Sequence, residues 1–271
     1  MATGTPTRQA LATPLRYRRS ATRLTAGQRD LLVDGFRQVQ GISDDRGYAY
    51  HAGIHGLPLP IGCDNAHGTP YFLPWHRAYL YFFERALRDR VPDAMLTWWD
   101  WRVTRARPAQ IPPLFSDATM GGRPNPLASA EVSRIALEQG GNQVGARTVR
   151  RPGASRARLP TSTEVADVLK IRDFLSFSDA VEGLHDRVHM WVGGHMGQIP
   201  YAAFDPIFWA HHAMVDRVWR LWQLGHVGAQ PPAAILDDAL PPFRMTVRRT
   251  LDVTALGYDY AVSTASAAVA A

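Results

Sequence analysis

The sequence predicts a mainly α-helical protein with long loops and a few short strands, and three observations carry this prediction. Several segments place apolar residues at helical spacing, most clearly the segment 205–225. Residues 105–162 are rich in Pro, Gly and Arg and show little periodicity, which is typical of a long irregular excursion. The sequence shows no internal repeat and no linker, so residues 1–271 are predicted to form one domain with flexible ends at 1–15 and 261–271.

The bulk composition argues against several classes of protein. Apolar residues make up 46% of the chain, enough for a sizeable core, but no apolar run is long enough to cross a membrane. The N-terminus carries arginines without an apolar segment, so no signal peptide is predicted. The net charge of +6 comes from scattered arginines that follow no helical stripe, so we expect no nucleic-acid partner.

The first half of the chain contains two predicted helices. After an extended stretch over residues 1–23, Thr25 is placed to cap a helix. A second helix is predicted over residues 75–91, where Pro92 ends it. The apolar face of the first helix consists of Leu31, Leu32, Phe36 and Val39.

The second half contains three more predicted helices and a strand. Two helices are expected over residues 162–177 and 178–192, and a third is expected to begin at the N-cap Asp205 and to end at Gly225. The β-branched residues of the tail, 243–260, predict an extended strand.

Histidines in the second half form a candidate metal site. His185 and His189 stand at positions i and i+4, so both imidazoles project from one helix face and can hold one ion. His211 and His212 follow in the strongest helix. Adjacent helical residues point about 100° apart, so only one of these two is expected to face the same ion.

The first half supplies a second group of histidines. His51 and His55 occur in the stretch YHAGIHG, His67 lies in a loop, and His76 opens a predicted helix. The chain therefore has two groups, each able to supply three imidazole nitrogens, on separate pairs of helices. Helical bundles build metal sites in this way, from side chains on facing helices.

The composition of the two groups favours copper. Ligation by nitrogen alone suits copper and is compatible with zinc, whereas a di-iron site would use glutamates. HDRVH approaches the zinc-protease motif, but Asp186 replaces its glutamate, and a zinc hydrolase leaves the first group unexplained. An isolated His pair often arises by chance. Two groups together predict a dicopper centre, and a pair of cuprous ions can supply the two electrons that reduce O2 to peroxide.

The chain resembles the tyrosinases, the type-3 copper family that also includes catechol oxidases and hemocyanins. The similarity runs from YRRSATRLT to LGYDY and covers nearly all of the chain. It implies a four-helix bundle core that holds a dicopper centre with ions CuA and CuB. The matching segments, in the order and spacing of the family, are FLPWHRAYLYFFERAL, TWWDWR, LHDRVHMWVGG and DPIFWAHHAMVDRVWRLWQ.

The resemblance also implies a ligand set. AGIHG is similar to an A-x-V-H segment of the family, and this similarity favours His55 over His51. In the HH pair the family uses the second histidine, so His211 is expected in a supporting role. Some members link a cysteine to the second CuA histidine, so Cys63 is either such a thioether or a plain thiol. The implied ligands are His55, His67 and His76 for CuA and His185, His189 and His212 for CuB.

Further roles follow from the same resemblance. Phe208 is expected to pack beside the dicopper centre, and Asp216 to brace a histidine or an arginine or, alternatively, to form a surface salt bridge with Arg220. The Trp-rich TWWDW segment is expected in the core. The residues expected around the substrate pocket are Arg187, Met190 and Ile199. His195 is expected in a loop or at the pocket rim. Tyr258 and Tyr260 are expected to pair with an N-terminal arginine such as Arg18.

For the reaction, the resemblance implies that a phenol binds near CuB. Hydroxylation requires the phenol to lose its proton, and the base proposed for the family is a water held between Glu182 and the residue after the first CuB ligand. That residue is Asp186, where several tyrosinases carry Asn. An ionised aspartate only accepts hydrogen bonds, so it can hold and polarise such a water.

Three functions are consistent with the sequence. The first is an enzyme that hydroxylates monophenols and oxidises o-diphenols to o-quinones with O2. The second is a catechol or o-aminophenol oxidase with little activity on monophenols, and the third is a hemocyanin-like O2 carrier. The expected partners are a phenolic small molecule, O2 and a copper-delivery helper protein. Localisation stays open between the cytoplasm and export together with that helper.

Overall fold

The computed structural model describes residues 15–59 and 66–261, and the described chain is mainly helical. Cys63 and most of both expected flexible ends lie outside the described residues. In chain order the α-helices are α1 (Ala26–Gln40), α2 (Tyr48–His55), α3 (Phe72–Arg88), α4 (Pro113–Ser116), α5 (Arg134–Gln139), α6 (Ser162–Val168), α7 (Phe174–Val192), α8 (Ile207–Gly225) and α9 (Val247–Thr250).

Short strands and 3-10 turns complete the architecture. Strand β1 (Arg16–Arg18) pairs in parallel with β4 (Tyr258–Tyr260), which joins the two ends of the described chain. Strand β2 (Thr119–Met120) pairs antiparallel with β3 (Arg123–Pro124) in the long excursion. The 3-10 turns span Gly194–Gly197, Ile199–Phe204 and Ala233–Ile235.

Helices α2, α3, α7 and α8 form the core around the two histidine groups, as the predicted fold class requires. Helix α8 packs against both α3 and α7, and α2 packs against the turn Ile199–Phe204. Aromatic rings fill the space between them. Phe83 of α3 stacks on Trp209 of α8 with ring centroids 3.6 Å apart, and the tryptophans of TWWDW are buried in this core as expected. The core therefore holds the histidine-bearing helices in fixed relation.

Several predicted boundaries were wrong. Helix α3 begins at Phe72, three residues before the predicted start, because Pro74 lies in the first turn, where no N–H partner is needed. The helix predicted over residues 162–177 ends at Val168. Helix α7 begins at Phe174 instead of residue 178, because Asp173 accepts a hydrogen bond from the Ser176 N–H and caps it there.

Two other predictions need correction. The tail is not one strand, because residues 247–250 form α9 and only Tyr258–Tyr260 pair with β1. Helix α8 begins at Ile207 instead of directly after Asp205, although the Asp205 carboxylate still accepts a hydrogen bond from the Ile207 N–H at 3.2 Å. The main partner of that carboxylate is an arginine from the long excursion, Arg150.

A buried ionic cluster anchors both ends of the described chain to the bundle. Arg18 donates to Glu84 at 2.9 Å and to Asp216 at 3.2 Å, and its guanidinium lies over the ring of Tyr258. Arg18 also donates to the hydroxyl of Tyr260 at 3.0 Å. The predicted pairing of the two C-terminal tyrosines with Arg18 is thus confirmed.

Asp216 lies at the centre of this cluster and is 3% exposed. Its carboxylate accepts hydrogen bonds from Arg77 at 2.5 Å and from the Tyr258 hydroxyl at 2.7 Å. It therefore braces arginines, one of the two roles expected for it. The alternative salt bridge to Arg220 was wrong, because Arg220 pairs with Asp259 at 2.8 Å.

Candidate metal centre

The first histidine group gathers residues from three separate parts of the chain. His55 ends α2, His67 precedes α3, and His76 lies in the second turn of α3. One nitrogen from each imidazole lies within 4.8 Å of the other two. His55 and His76 are buried, and the side chain of His67 is 22% exposed. The structure thus brings together three residues that the sequence separates by loops.

Hydrogen bonds orient two of these rings. The Nδ1 atom of His76 lies 2.8 Å from the carbonyl oxygen of Phe72, and Nδ1 of His67 lies 2.7 Å from Oε1 of Glu182. A carbonyl oxygen only accepts, so Nδ1 of His76 carries the proton and Nε2 carries a lone pair. The Nε2 atoms of His67 and His76 are buried without a hydrogen-bond partner. Buried polar atoms of this kind require a partner, and a metal ion is a suitable one.

The second group lies on α7 and α8. Nε2 of His212 is 3.3 Å from Nε2 of His185 and 3.4 Å from Nε2 of His189. Nδ1 of His189 donates to the carbonyl oxygen of Met196 at 2.7 Å, so Nε2 of His189 presents a lone pair to its neighbours. Nitrogens that converge in this way can bind one cation when each presents a lone pair. The residues present therefore fit a metal ion.

The two groups are adjacent. The rings of His76 and His212 stack with centroids 4.4 Å apart, and those of His67 and His185 lie 5.2 Å apart. Two ions held by the separate groups would be near neighbours. This arrangement suits a reaction in which two metal ions act together on one small molecule.

Burial favours the neutral form of five of these histidines. Desolvation is the largest cause that lowers the pKa of His55, His76, His185 and His212 well below the ordinary value, and neighbouring histidines lower it further. Desolvation also lowers the pKa of His189 to about 4. Neutral imidazole is the form that binds metal, so the site is ready for an ion at physiological pH.

His211 also lies close to the second group. One of its nitrogens is within 4.8 Å of ligand atoms of the other three histidines. Its ring stacks on that of His185 with centroids 5.0 Å apart and an interplanar angle of 20°. No nitrogen of His211 makes a hydrogen bond with another described residue, whereas Nε2 of His212 lies within 3.4 Å of the Nε2 atoms of both His185 and His189. The contacts thus favour His212 as the ligand and His211 as packing support.

His51 lies apart from both groups among the described residues. Its ring lies 5.6 Å from the ring of Phe83, and its carbonyl oxygen accepts a hydrogen bond from the Tyr79 hydroxyl. It faces the aromatic core behind α2. The structure therefore supports His55 in the first group, as the sequence comparison with the family implied.

Two carboxylates stand beside the histidines on α7. Glu182 accepts hydrogen bonds at Oε1 from Nδ1 of His67 and, at 2.9 Å, from the N–H of Gly68. Oδ1 of Asp186 lies 3.0 Å from Nδ1 of His185, and 63% of the Asp186 side chain is exposed. Burial raises the pKa of Asp186 above its ordinary value. The direct contact between Glu182 and His67 was not predicted, because no local pattern reveals a contact across 115 residues.

The remaining predicted pocket residues differ in their surroundings. Phe208 is buried, with its ring centroid 4.1 Å from that of His212 and 4.7 Å from that of His55. Ile199 is 58% exposed and Met190 is 50% exposed. Both are therefore accessible to a molecule from solvent.

Arg187 and His195 make contacts that the sequence did not predict. Arg187 donates to Glu164 of α6 at 2.6 Å, so its charge is already neutralised. His195 was expected in a loop or at the pocket rim. It lies in the 3-10 turn Gly194–Gly197, which confirms the loop, and it is 2% exposed, so the rim was wrong. Its Nδ1 accepts a hydrogen bond from the Val149 N–H at 3.1 Å, and its Nε2 donates to the carbonyl of Gly145. His195 therefore joins the long excursion to the end of α7.

Two adjacent groups of imidazoles inside a bundle of helices fit the two ions of a type-3 dicopper protein, and comparisons with known proteins give the family. The family model described as the common central domain of tyrosinase matches residues 45–224. This chain belongs to the tyrosinase family, whose members hold two copper ions, and it is a tyrosinase-like polyphenol oxidase.

Individual relatives agree with this assignment. A tyrosinase of Streptomyces glaucescens is 32% identical over 84% of this chain and 93% of its own length. A functional unit of octopus hemocyanin superposes with a TM-score of 0.75 at 28% identity, over 90% of this chain and 68% of that one. An Aspergillus oryzae tyrosinase, in a copper-depleted mutant complexed with L-tyrosine, shares the fold with a TM-score of 0.76 at 19% identity, over 94% of this chain and 95% of that chain.

Among residues 15–59 and 66–261, none of the helices combines the length and the apolar character needed to cross a bilayer.

Proposed function

We propose that this chain uses O2 to hydroxylate monophenols and to oxidise o-diphenols to o-quinones. The observation that supports the proposal best is the convergence of two adjacent sets of imidazole nitrogens, with Nε2 atoms 3.3 and 3.4 Å apart in the second set. Neutral imidazoles whose Nε2 atoms converge in this way can together ligate one cation. We further propose the ligands His55, His67 and His76 for CuA and His185, His189 and His212 for CuB.

The two copper ions supply the two-electron chemistry with O2 that phenol oxidation requires. The chain contributes the geometry around them. Phe208 forms a buried apolar wall against His55 and His212, which keeps those rings in place and excludes water from one side of the centre. The carbonyl oxygens of Phe72 and Met196 hold Nδ1 of His76 and His189, so that each ring directs Nε2 inward.

Proton removal from a monophenol is assigned to the carboxylates on α7. Glu182 and Asp186 are one helical turn apart and share a face. Glu182 is fixed by His67 and Gly68, whereas Asp186 is exposed to solvent beside His185. We propose that a water held between the two carboxylates accepts the proton of the phenol hydroxyl, with Oδ of Asp186 as its acceptor.

An O2 carrier is the first competing function, since the structure resembles a hemocyanin unit. A carrier must keep phenols away from its copper ions. Met190 and Ile199 are 50% and 58% exposed, so these two predicted pocket residues are open to a molecule from solvent. This exposure favours an enzyme.

An oxidase of catechols or o-aminophenols with little monophenolase activity is the second competitor. The observation that favours it is the engagement of Glu182, whose Oε1 already accepts hydrogen bonds from His67 and from Gly68. If those bonds prevent the carboxylate from holding a water, the proton of a monophenol has no acceptor. Diphenols then remain the substrates.

Oxygen-uptake kinetics on three matched substrates tests the proposal. The copper-loaded protein is given a monophenol, its catechol and the corresponding o-aminophenol. We expect uptake with the monophenol and with the catechol. Oxygen uptake with only the catechol or the aminophenol would rule out the proposed hydroxylation of monophenols. An absence of uptake with all three substrates would favour the O2 carrier.

Copper delivery is a separate proposal. We propose that a helper protein delivers copper, because most of the candidate ligands are buried. Export in complex with that helper is one of the two localisations that the sequence left open, the other being the cytoplasm. Titration of the purified copper-free chain with cuprous ion tests the proposal: slow or incomplete loading supports a helper, whereas fast and complete loading contradicts the need for one.

A further inference from the structure

The segment 149–155 of the long excursion contacts the C-terminal end of α7, the helix that carries two histidines of the second group. Three donors of this segment bind three consecutive carbonyl oxygens, each at 2.8 Å. These carbonyls belong to the last turn of α7, where a helix lacks internal partners. The donors are the N–H groups of Arg151 and Gly153 and the hydroxyl of Ser155, and the acceptors are Val192, Trp191 and Met190.

Arg150 of the same segment reaches the start of α8, the helix that carries His212. Its Nε lies 2.9 Å from each carboxylate oxygen of Asp205, and the two side chains are 8% and 0% exposed. Oδ1 of Asp205 in turn accepts from the N–H of Ile207, the first residue of α8. The remaining guanidinium nitrogens donate to the carbonyl oxygens of Phe115 and Leu127. A buried guanidinium with four acceptors has its orientation fixed.

Close packing keeps the turn after α7 against this segment. Gly194 has a φ of +59°, and a Cβ there would lie 2.0 Å from the carbonyl oxygen of Val149. His195, the next residue, accepts from the Val149 N–H. The same turn contains Met196, whose carbonyl oxygen accepts from Nδ1 of His189. The position of the segment is thus transmitted to a proposed CuB ligand by direct contacts.

We infer that residues 149–155 form a clamp that sets the distance between the end of α7 and the start of α8, with Arg150 as a positioning residue for CuB. The clamp holds the Nε2 atoms of His189 and His212 in convergence before an ion binds. The inference rests on the proposed CuB ligands. Arg150 acts through Asp205 on the start of α8, so its loss is expected to affect the proposed CuB ligands.

Copper competition titrations with a chelator test the clamp. Arg150→Met removes the ion pair and keeps the apolar stem. The matched control is Arg220→Met, because Arg220 also forms a two-point ion pair with an aspartate, Asp259, and lies further along α8. We expect Arg150→Met to lower the affinity of one copper site by about tenfold or more and to leave the affinity of the other site within about twofold. In Arg220→Met both affinities are expected to stay within about twofold.

Electron paramagnetic resonance gives a second readout that a general loss of stability does not produce. An isolated Cu(II) gives a signal, whereas two coupled Cu(II) ions do not, so a half-filled centre is visible. We expect Arg150→Met to show the signal of isolated Cu(II) when copper is limiting. Arg150→Lys keeps the charge opposite Asp205, so its signal is expected to be weaker. Equal copper affinities in Arg150→Met and wild type would overturn the clamp, whatever the melting temperature.

Two further variants separate the possible failures. If Arg150→Met does not fold, Asp205→Asn is used instead, because it removes the carboxylate charge opposite Arg150 and keeps an acceptor for the Ile207 N–H. This variant is expected to lower the affinity of the same copper site. His212→Ala tests the ligand set itself. If His212→Ala retains two tightly bound copper ions, the proposed CuB ligands are wrong. If it loses one ion while Arg150→Met and Asp205→Asn lose none, only the clamp is wrong.

Discussion

Glu182 and His67 are joined by a hydrogen bond of 2.7 Å between Oε1 and Nδ1, although 115 residues separate them in the chain. This contact connects α7, which carries two proposed CuB ligands, to a proposed CuA ligand in the loop before α3. The carboxylate also binds the N–H of Gly68, which fixes the backbone next to the histidine. Glu182 therefore couples the two halves of the centre besides its proposed role in holding a water.

Removal of this carboxylate is expected to lower the affinity of the proposed CuA site for copper. Glu182→Ala leaves Nδ1 of His67 without its acceptor, and the loss of such a partner typically costs about 10- to 100-fold in metal affinity. Copper affinity is measured by chelator competition. Glu164→Ala is the control, since Glu164 pairs with Arg187 away from the histidines. Unchanged affinity in Glu182→Ala would show that the bond does not support the ligand.

The two adjacent histidines of α8 are expected to behave differently. His212→Ala removes the nitrogen that converges with His185 and His189, so we expect the loss of one copper ion and of diphenol oxidation. His211→Ala removes only a stacked ring and is expected to keep both ions. Metal analysis of the dialysed variants measures the difference. The reverse pattern would assign the ligand to His211.

Asp186 is expected to control the balance between the two reactions. Asp186→Ala removes the exposed acceptor beside His185, and a positioned proton acceptor contributes about 10²-fold or more to a rate. The rate on a monophenol should fall by about that factor, while the rate on the matching catechol should stay within about threefold because the reaction depends less on this acceptor. Parallel losses on both substrates would place Asp186 in copper binding instead.

The ionic cluster at Asp216 predicts a pH-dependent stability. Burial alone raises the pKa of Asp216, but Arg77 and Arg18 outweigh it, so the net pKa is below the ordinary value. A lowered pKa stabilises the fold above the pKa of the unfolded chain, about 4, and this contribution is lost as the pH falls through the folded-state value. Asp216→Asn leaves two buried arginines with fewer counter-charges and should cost about 3–5 kcal/mol at neutral pH.

Urea unfolding of the copper-free wild type and of Asp216→Asn, at neutral pH and near pH 3, measures this effect. The difference in the free energy of unfolding between the two proteins should shrink at the lower pH. Copper is left out so that protonation of its ligands does not contribute. A difference that is the same at both pH values would contradict the ionic account of the cluster.

The sequence was sufficient for the parts of the site that local periodicity determines. The i, i+4 spacing placed His185 and His189 on one face, and the apolar pattern around His212 predicted its helix. Family resemblance supplied the remaining proposed ligands. The short helix α2, which carries His55, was not predicted, because it has only eight residues and its N-cap Gly47 makes no side-chain hydrogen bond.

Long-range contacts of charged side chains were beyond sequence reasoning. Arg150 lies in a segment without periodicity, 55 residues from Asp205, and nothing in the local pattern distinguishes it from the many other arginines. The same holds for Glu182 and His67. A supporting role was predicted for Asp216, but its partners Arg18 and Arg77 lie 198 and 139 residues away in the chain, and no local pattern reveals such contacts.

The most direct test of the central claim is oxygen uptake with an o-diphenol, measured while copper is added stepwise to the copper-free chain. Two histidine groups that act as one centre require both ions, so we predict little uptake after the first equivalent and a steep rise with the second. Two tightly bound copper ions per chain without diphenol-dependent uptake would contradict the assignment as a phenol-oxidising enzyme.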